Sequence, residues 1–118
     1  MNIKDYKDLK IWQKEIELVK EAYEITDKFP TREIDGLSSQ IRRAAISIPS
    51  NIAEDFVRKH PKEYSHFLSI ALGSCAELDT QLIIAEKMHY INAEILQKFS
   101  TELNYEMRMI STLITKIS

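Results

Sequence analysis

The chain has 118 residues, 44% of them hydrophobic and 29% charged, which suits one folded domain covering residues 1–118 and excludes a disordered chain. Two glycines and three prolines are too few for an all-β chain, and the single cysteine excludes an internal disulfide. The net charge of −2 provides no global positive field for nucleic acid. Without a signal peptide or a long uncharged apolar run, we expect a cytoplasmic protein with no membrane partner.

The first predicted helix runs from about Leu9 to about Asp27, because apolar residues recur there at alternating steps of three and four. They form two neighbouring stripes. The first stripe is Leu9, Trp12, Ile16, Val19 and Tyr23, and the second is Ile11, Leu18, Ala22 and Ile25. Phe29-Pro30 ends this helix, since the residue before a proline avoids the helical region.

The second predicted helix runs from about Leu37 to about Lys59 and carries Ile41, Ala45, Ile48, Ile52 and Phe56 on its apolar face. Pro49 lies in its middle. Proline lacks a backbone donor and clashes with the preceding turn, so we expect this helix to bend at Pro49. His60-Pro61 closes the helix and opens the next one.

The third predicted helix has the most regular apolar seam, formed by Tyr64, Leu68, Ala71, Cys75, Leu78, Leu82 and Ala85. Asn92 is the predicted N-cap of the fourth helix. That helix carries Leu96, Phe99, Leu103, Met107, Ile110, Ile114 and Ile117. Every connection is short, so sequential helices should be antiparallel. The sequence therefore predicts an all-α protein, an antiparallel up-down-up-down four-helix bundle with helix 2 bent at Pro49.

The helices carry more apolar residues than one bundle core requires. Helix 1 has its second stripe, and further apolar residues flank the main seams of helices 3 and 4. These are Phe67, Ile70 and Ile84 on helix 3, and Tyr105, Met109 and Leu113 on helix 4. Such surplus faces indicate either a wide core stripe or a subunit interface, and periodicity leaves both interpretations open.

No pattern in the sequence predicts an active site, a metal site or a cofactor. Glu63-Tyr-Ser-His66 and Glu86-Lys-Met-His89 match the Glu-x-x-His spacing of di-iron bundles, but they lie roughly 34 Å apart along one helix. The main seams of helices 1 and 4 offer no inward carboxylate. Cys75 lies in an apolar seam, so we expect an inert thiol, no catalytic residue and no enzymatic activity.

Polar residues on helices 2 and 3 form a distinct group. In an antiparallel pair turning near His60-Pro61, Pro49 would lie level with Gly73, and Arg43 level with Glu77. A glycine inside a helix suggests a close backbone approach, so we predict a notch at Gly73 and a largely buried Arg43–Glu77 contact. The remaining members are Ser47, Asn51 and Glu54. Such a group either ties the bent helix in place or forms a binding site.

One basic cluster surrounds the predicted turn between helices 2 and 3, where Arg58, Lys59, His60 and Lys62 follow one another closely. Arg42 lies earlier on helix 2. A cluster of this kind is usually only solvated, but repeated around a ring of subunits it would form a positive belt that contacts phosphates. The candidate nucleic-acid-binding residues are therefore Arg42, Arg58, Lys59 and Lys62.

Several strings in the chain resemble one family. Ser-Ile-Pro-Ser-Asn-Ile-Ala-Glu at 47–54 follows Gln-Ile-Arg-Arg at 40–43 and precedes Ala-Leu-Gly-Ser-Cys-Ala-Glu at 71–77, and Tyr-Lys-Asp-Leu-Lys-Ile-Trp-Gln opens the chain at 6–13. Together they resemble the four helix bundle protein family, whose members include proteins encoded within intervening sequences of bacterial 23S rRNA genes. The accessory variability determinant protein of diversity-generating retroelements is related to it. Asp55 stands where the family commonly has glycine.

This resemblance implies an antiparallel four-helix bundle that assembles into a ring-like pentamer. It also implies a connection to nucleic acid, because the retroelement relative binds nucleic acid and a reverse transcriptase. We therefore expect a non-catalytic homo-oligomer that contacts RNA or a ribonucleoprotein through the helix 2–3 turn. The alternative is a protein–protein interaction scaffold without affinity for nucleic acid.

Overall fold

The computed structural model of the protein describes residues 4–58 and 64–117, without the side chains of residues 64, 65 and 117. This described part contains four α-helices and no strand. They are α1 (Lys10–Thr26), α2 (Leu37–Arg58), α3 (Tyr64–Lys87) and α4 (Ala93–Ile117). Single 3-10 turns at Tyr6–Asp8 and Thr31–Glu33 precede α1 and α2. The described chain measures 43 × 24 × 21 Å, and the predicted all-α, four-helix architecture is confirmed.

Local hydrogen bonds explain where several helices begin and end. The Oδ1 atom of Asn92 accepts the backbone N–H of Ile95 at 2.8 Å, so the predicted N-cap of α4 is confirmed. Glu33 accepts the N–H of Leu37 at 3.1 Å at the start of α2. His89 follows α3 with a φ of 64°, a left-handed conformation that commonly terminates helices. The predicted closure of helix 2 at His60-Pro61 lies outside the described residues.

All four helices contribute side chains to one hydrophobic core. The predicted seam of α3 is confirmed from Leu68 to Ala85. The predicted stripes are confirmed as buried at Ile41, Ala45, Ile48 and Ile52 of α2 and at Phe99, Leu103 and Ile110 of α4. The largest fully buried apolar side chains are Leu18, Ile41, Ile48, Ile52, Leu68, Leu78, Leu82, Phe99, Leu103 and Ile110. Each contributes about 1.5–3 kcal/mol of transfer free energy. The α2–α3 pairing is the most extensive of the helix pairings, and the α1–α4 pairing is the smallest.

The two apolar stripes of α1 lie on different sides of that helix. Ile11, Leu18 and Ala22, from the second stripe, are buried in the core. The first stripe is less buried: Ile16 is 40% and Tyr23 37% exposed, whereas Leu9, Trp12 and Val19 are partly buried and pack against the core. The core side of α1 is therefore the second stripe, and its regularity is concealed in the sequence by Glu15, a polar residue in the same series.

Pro49 is buried, and α2 continues through it as one helix from Leu37 to Arg58. A missing N–H removes one backbone hydrogen bond without ending the helix, because its two halves are held by packing against the core. The bend at Pro49 and the up-down order of the helices stay predictions.

The segment His66–Lys87 of α3 is long and apolar enough to qualify as a membrane span by length and composition alone. A core helix of a globular protein meets the same criterion, and this one buries Leu78 and Leu82 completely. The finding is weak evidence for a membrane, and we interpret α3 as the central core helix of a compact globule. The cytoplasmic location stays a prediction.

Candidate functional site

An apolar groove lies between the outer sides of α1 and α2, and we call it the α1–α2 face. Its volume is about 290 Å³. It is lined by Tyr6, Trp12, Ile16, Val19, Ile46, Pro49, Ser50 and Ala53. Ile16 and Ile46 are 40% and 42% exposed, and Val57 continues the α2 side at 63% exposed. Seven of its eight lining residues are apolar or aromatic. This composition is typical of surfaces that bind a partner.

Two aromatic contacts fix the α1 side of this face. The ring of Tyr6 packs edge-to-face on Trp12 with centroids 5.5 Å apart, and Asp5 caps the 3-10 turn that carries Tyr6. At the other end, the guanidinium of Arg42 lies 4.7 Å from the ring centroid of Tyr23. The exposed apolar side chains are therefore held on an ordered surface.

Part of the predicted polar group forms a hydrogen-bond network between α2 and α3. The Asn51 amide donates to the Ser47 carbonyl at 2.8 Å and to its hydroxyl at 3.0 Å. The Ser74 hydroxyl donates to the Ser47 hydroxyl at 2.9 Å. Ser74 was not among the residues that the sequence pattern singled out. The network lies next to Pro49 and ties α2 to α3, which favours the structural interpretation of this group.

The other members of the group do not join this network. Arg43 and Glu77 are both exposed, and no ion pair joins them in the described part of the chain, so the predicted buried contact is wrong. Gly73 is also exposed, and a Cβ atom built there meets nothing within 4 Å, so the predicted notch is wrong as well. Residues 73 and 77 lie on the outer side of α3 because Cys75 and Leu78 occupy its core side. Glu54 is exposed and pairs with Arg58.

The described members of the predicted basic set are both engaged within the chain. Arg42 donates to Thr26 and Asp27, each at 2.8 Å, and so clamps the end of α1 to α2. Arg58 donates to Glu54 at 2.9 Å and stacks over Phe67 at 5.0 Å. These pairings reduce the positive charge that either arginine offers to a phosphate. Lys59 and Lys62 lie outside the described residues.

The structure places two carboxyl groups inside the bundle that the sequence pattern missed. Glu15 of α1 is 0% exposed and Glu106 of α4 is 1% exposed, so the expectation of no inward carboxylate on these helices is wrong. The positions of these two residues in the sequence could have indicated their burial. Glu15 stands in the series Ile11-Glu15-Leu18-Ala22, and Glu106 in the series Phe99-Leu103-Glu106-Ile110, both at core steps of four, three and four.

Burial and mutual proximity control the protonation of this pair. Burial raises the pKa of Glu15, and the neighbouring Glu106 raises it further. Burial also raises the pKa of Glu106, although the neighbouring Glu15 carboxyl group and the charge of Lys14 oppose that rise. Neither carboxyl oxygen of Glu15 makes a hydrogen bond of ordinary geometry among the described residues, and the same holds for the Oε2 atom of Glu106. Burial and mutual proximity therefore both favour retention of a proton by the pair.

Two further buried groups are titratable. Cys75 is completely buried, and burial, followed by the charges of Glu15 and Glu106, raises the pKa of its thiol. The thiol therefore stays protonated, as an inert core residue does. Asp55 is 7% exposed with its Oδ1 atom unpaired, and burial raises its pKa to about 6. No group of three or more His, Cys, Asp or Glu side chains in the described ranges is arranged to hold a metal ion.

Comparisons with known proteins agree with this architecture. The 23S rRNA-intervening sequence protein family matches residues 7–112. A crystal structure of a protein of unknown function from the S23 ribosomal protein family of Bacteroides thetaiotaomicron superposes with a TM-score of 0.81 at 20% identity, over 88% of this chain and 97% of that one. At that identity the superposition supports the fold alone. No curated protein matches the chain. Because the family match spans nearly the whole sequence, the chain belongs to the 23S rRNA-intervening sequence protein family.

Proposed function

We propose that this protein is a non-catalytic interaction module that assembles with copies of itself through the α1–α2 face. The observation that supports this is the exposed apolar side chains of α1 and α2 along one groove of about 290 Å³. Exposed apolar side chains gathered in one patch are characteristic of interaction surfaces, whereas single exposed ones are ordinary. The name of the family to which the chain belongs indicates no enzymatic activity.

A second copy is the partner that fits best, because the same chain offers another apolar surface. Ile70 and Ile84 are 40% and 46% exposed on α3, and Met88, directly after the end of α3, is 51% exposed. A closed ring needs two different complementary surfaces on every subunit, and the α1–α2 face and this α3 surface provide them. Five is the number of subunits that the family resemblance implies, and it is the number that we propose.

Light scattering after size exclusion tests self-association directly. The wild-type chain should elute as an oligomer of about five chain masses, and the pair Ile16→Lys with Ile46→Lys should dissociate it, because two buried lysines would be unpaired in the interface. Both positions are about 40% exposed in the single chain, so the subunit fold should survive. Ile34→Lys is the matched control, since Ile34 is 60% exposed in the connection before α2. A monomer that persists at high concentration would refute the proposal.

Contact of the assembled ring with RNA or a ribonucleoprotein is a second candidate function. The observation that favours it is the run Arg58-Lys59-His60-Pro61-Lys62, which five copies would present together. Phosphate contacts make log affinity fall with log salt concentration, so replacing Arg58, Lys59 and Lys62 by alanine should weaken binding to a structured RNA and flatten that slope. If the wild-type oligomer shows no salt-dependent binding, the protein–protein scaffold is the correct alternative.

A further inference from the structure

The smallest helix pairing in the bundle, α1 with α4, includes two buried acidic groups. Glu15 of α1 and Glu106 of α4 lie close enough that each shifts the pKa of the other. The Oε1 and Oε2 atoms of Glu15 and the Oε2 atom of Glu106 have no hydrogen-bond partner in the described part of the chain. A structural core would be served better by two leucines, since buried ion-forming groups rarely add stability.

We propose that the Glu15–Glu106 pair is a proton-dependent latch, which holds α1 against α4 while it keeps a proton and releases α1 when both carboxylates are charged. One shared proton gives a carboxyl–carboxylate hydrogen bond, which is among the stronger kinds. Two charged carboxylates buried side by side repel one another and lack hydrating water. They regain hydration only if the two helices separate.

The titratable groups nearest the pair do not replace its proton. On α1, Lys14 favours the charged forms, but it is drawn to Glu102 of α4 at 3.6 Å. On α3, Cys75 contributes a neutral thiol. Asp55, the buried acid of α2, is not among the groups that shift the pKa of either glutamate. A single partly exposed lysine that already has a carboxylate partner does not neutralise two further buried carboxylates.

The latch has a consequence for assembly that rests on the proposed function. α1 supplies Trp12, Ile16 and Val19 to the α1–α2 face. Release of α1 from the bundle would therefore disrupt that face, and self-association would become linked to pH. The latch itself concerns only one subunit, so it can be tested in a chain that does not assemble.

Cys75 is a built-in reporter of this event, because it is the only cysteine, is completely buried and lies within electrostatic reach of both glutamates. At each pH the rate at which iodoacetamide alkylates Cys75 is measured in the folded chain and in urea. The rate in urea divided by the rate in the folded chain is a protection factor, in which the pH dependence of the thiol itself cancels. The background is Ile16→Lys with Ile46→Lys. Protection should fall from pH 6 to pH 9, by up to about tenfold per pH unit, because opening releases the retained proton. In Glu15→Gln, which keeps an amide donor, protection should fall less steeply than in the wild type, because only Glu106 of the pair still titrates.

Glu17→Gln is the matched control, since Glu17 is exposed on the same helix and should leave the wild-type pH profile unchanged. An equal loss of protection in Glu15→Gln and in the wild type would overturn the latch. Deuterium exchange on the wild type, corrected for intrinsic rates, provides a test that needs no variant at position 15. Amides of α1 should lose protection before those of α2 and α3 as the pH rises, and simultaneous loss in all helices would show global unfolding and overturn the latch.

Discussion

The buried glutamate pair should give the protein an unusual dependence of stability on pH. In the folded chain Glu15 keeps its proton well above pH 4.5, the ordinary value for a glutamate, because burial and Glu106 raise its pKa to about 9. In the unfolded chain it loses that proton near pH 4.5. Between these two values Glu15 carries a proton in the folded state and none in the unfolded state, so its contribution to the free energy of unfolding falls as the pH rises. Below pH 4.5 both states are protonated and this contribution is constant.

The size of the effect follows from proton linkage. One extra proton in the folded state lowers the free energy of unfolding by about 1.4 kcal/mol per pH unit. From pH 5 to pH 7 the wild type should therefore lose roughly 2.5 kcal/mol relative to Glu15→Gln, in which nothing titrates at this position. The two proteins should be similarly stable near pH 5, because a glutamine amide resembles a protonated carboxyl in size and donates to Glu106 in its place.

Urea unfolding followed by circular dichroism at pH 5, 6, 7 and 8 measures this difference. Protein concentration is held fixed, since self-association would shift apparent stability by mass action. Glu17→Gln should track the wild type at every pH, because Glu17 is exposed. A stability difference between wild type and Glu15→Gln that is constant from pH 5 to pH 8 would refute the argument that folded Glu15 is a neutral acid.

Three further substitutions test the local structure by urea unfolding at pH 7. Gly73→Ala should stabilise the protein by about 1 kcal/mol, because the position is an exposed helix interior with open space around the new Cβ. A loss of stability would instead indicate that another backbone segment packs closely against Gly73. His89→Gly should stabilise it by about 1 kcal/mol, because glycine adopts the φ of 64° without strain, and an unchanged midpoint would contradict that conformation. Glu77→Ala should change stability by less than about 0.5 kcal/mol, as exposed residues do, whereas a loss near 3 kcal/mol would mean that it pairs with a buried arginine.

The fold was predictable because apolar periodicity is regular in α2, α3 and α4. Leu68, Leu78 and Leu82 stand at core steps with no polar residue between them in the series, and the structure buries all three. The cap at Asn92 was predictable for a similar reason, since side-chain capping is a local interaction.

The orientation of α1 was harder to predict because two apolar stripes lie side by side on it. The first stripe contains Trp12 and no charge, so it resembles a core face, while the true core face contains Glu15. The positions of α2 and α4 decide which stripe of α1 is buried. The apolar periodicity of α1 alone does not reveal those positions. Glu15 and Glu106 escaped prediction because an isolated carboxylate is normally solvated, and only the approach of the other carboxyl group makes its burial tolerable.

The misplacement of Arg43, Gly73 and Glu77 has a related cause. Matching levels along two helices predicts which residues lie at the same height, but not which way they point around the helix axis. A rotation of α3 by about 100°, one residue, exchanges a core position for an outer one. The correct rotation could be read from the seam that contains Cys75 and Leu78, which excludes positions 73 and 77 from the core.

The proposed function depends on the α1–α2 face joining copies of this chain. Sedimentation velocity of the wild type and of Ile16→Lys with Ile46→Lys, over a hundredfold range of concentration at pH 6, tests it most directly. We expect one wild-type species of about five chain masses and a folded, monomeric double variant. A wild-type monomer across the whole range, or a double variant that assembles as the wild type does, would contradict it.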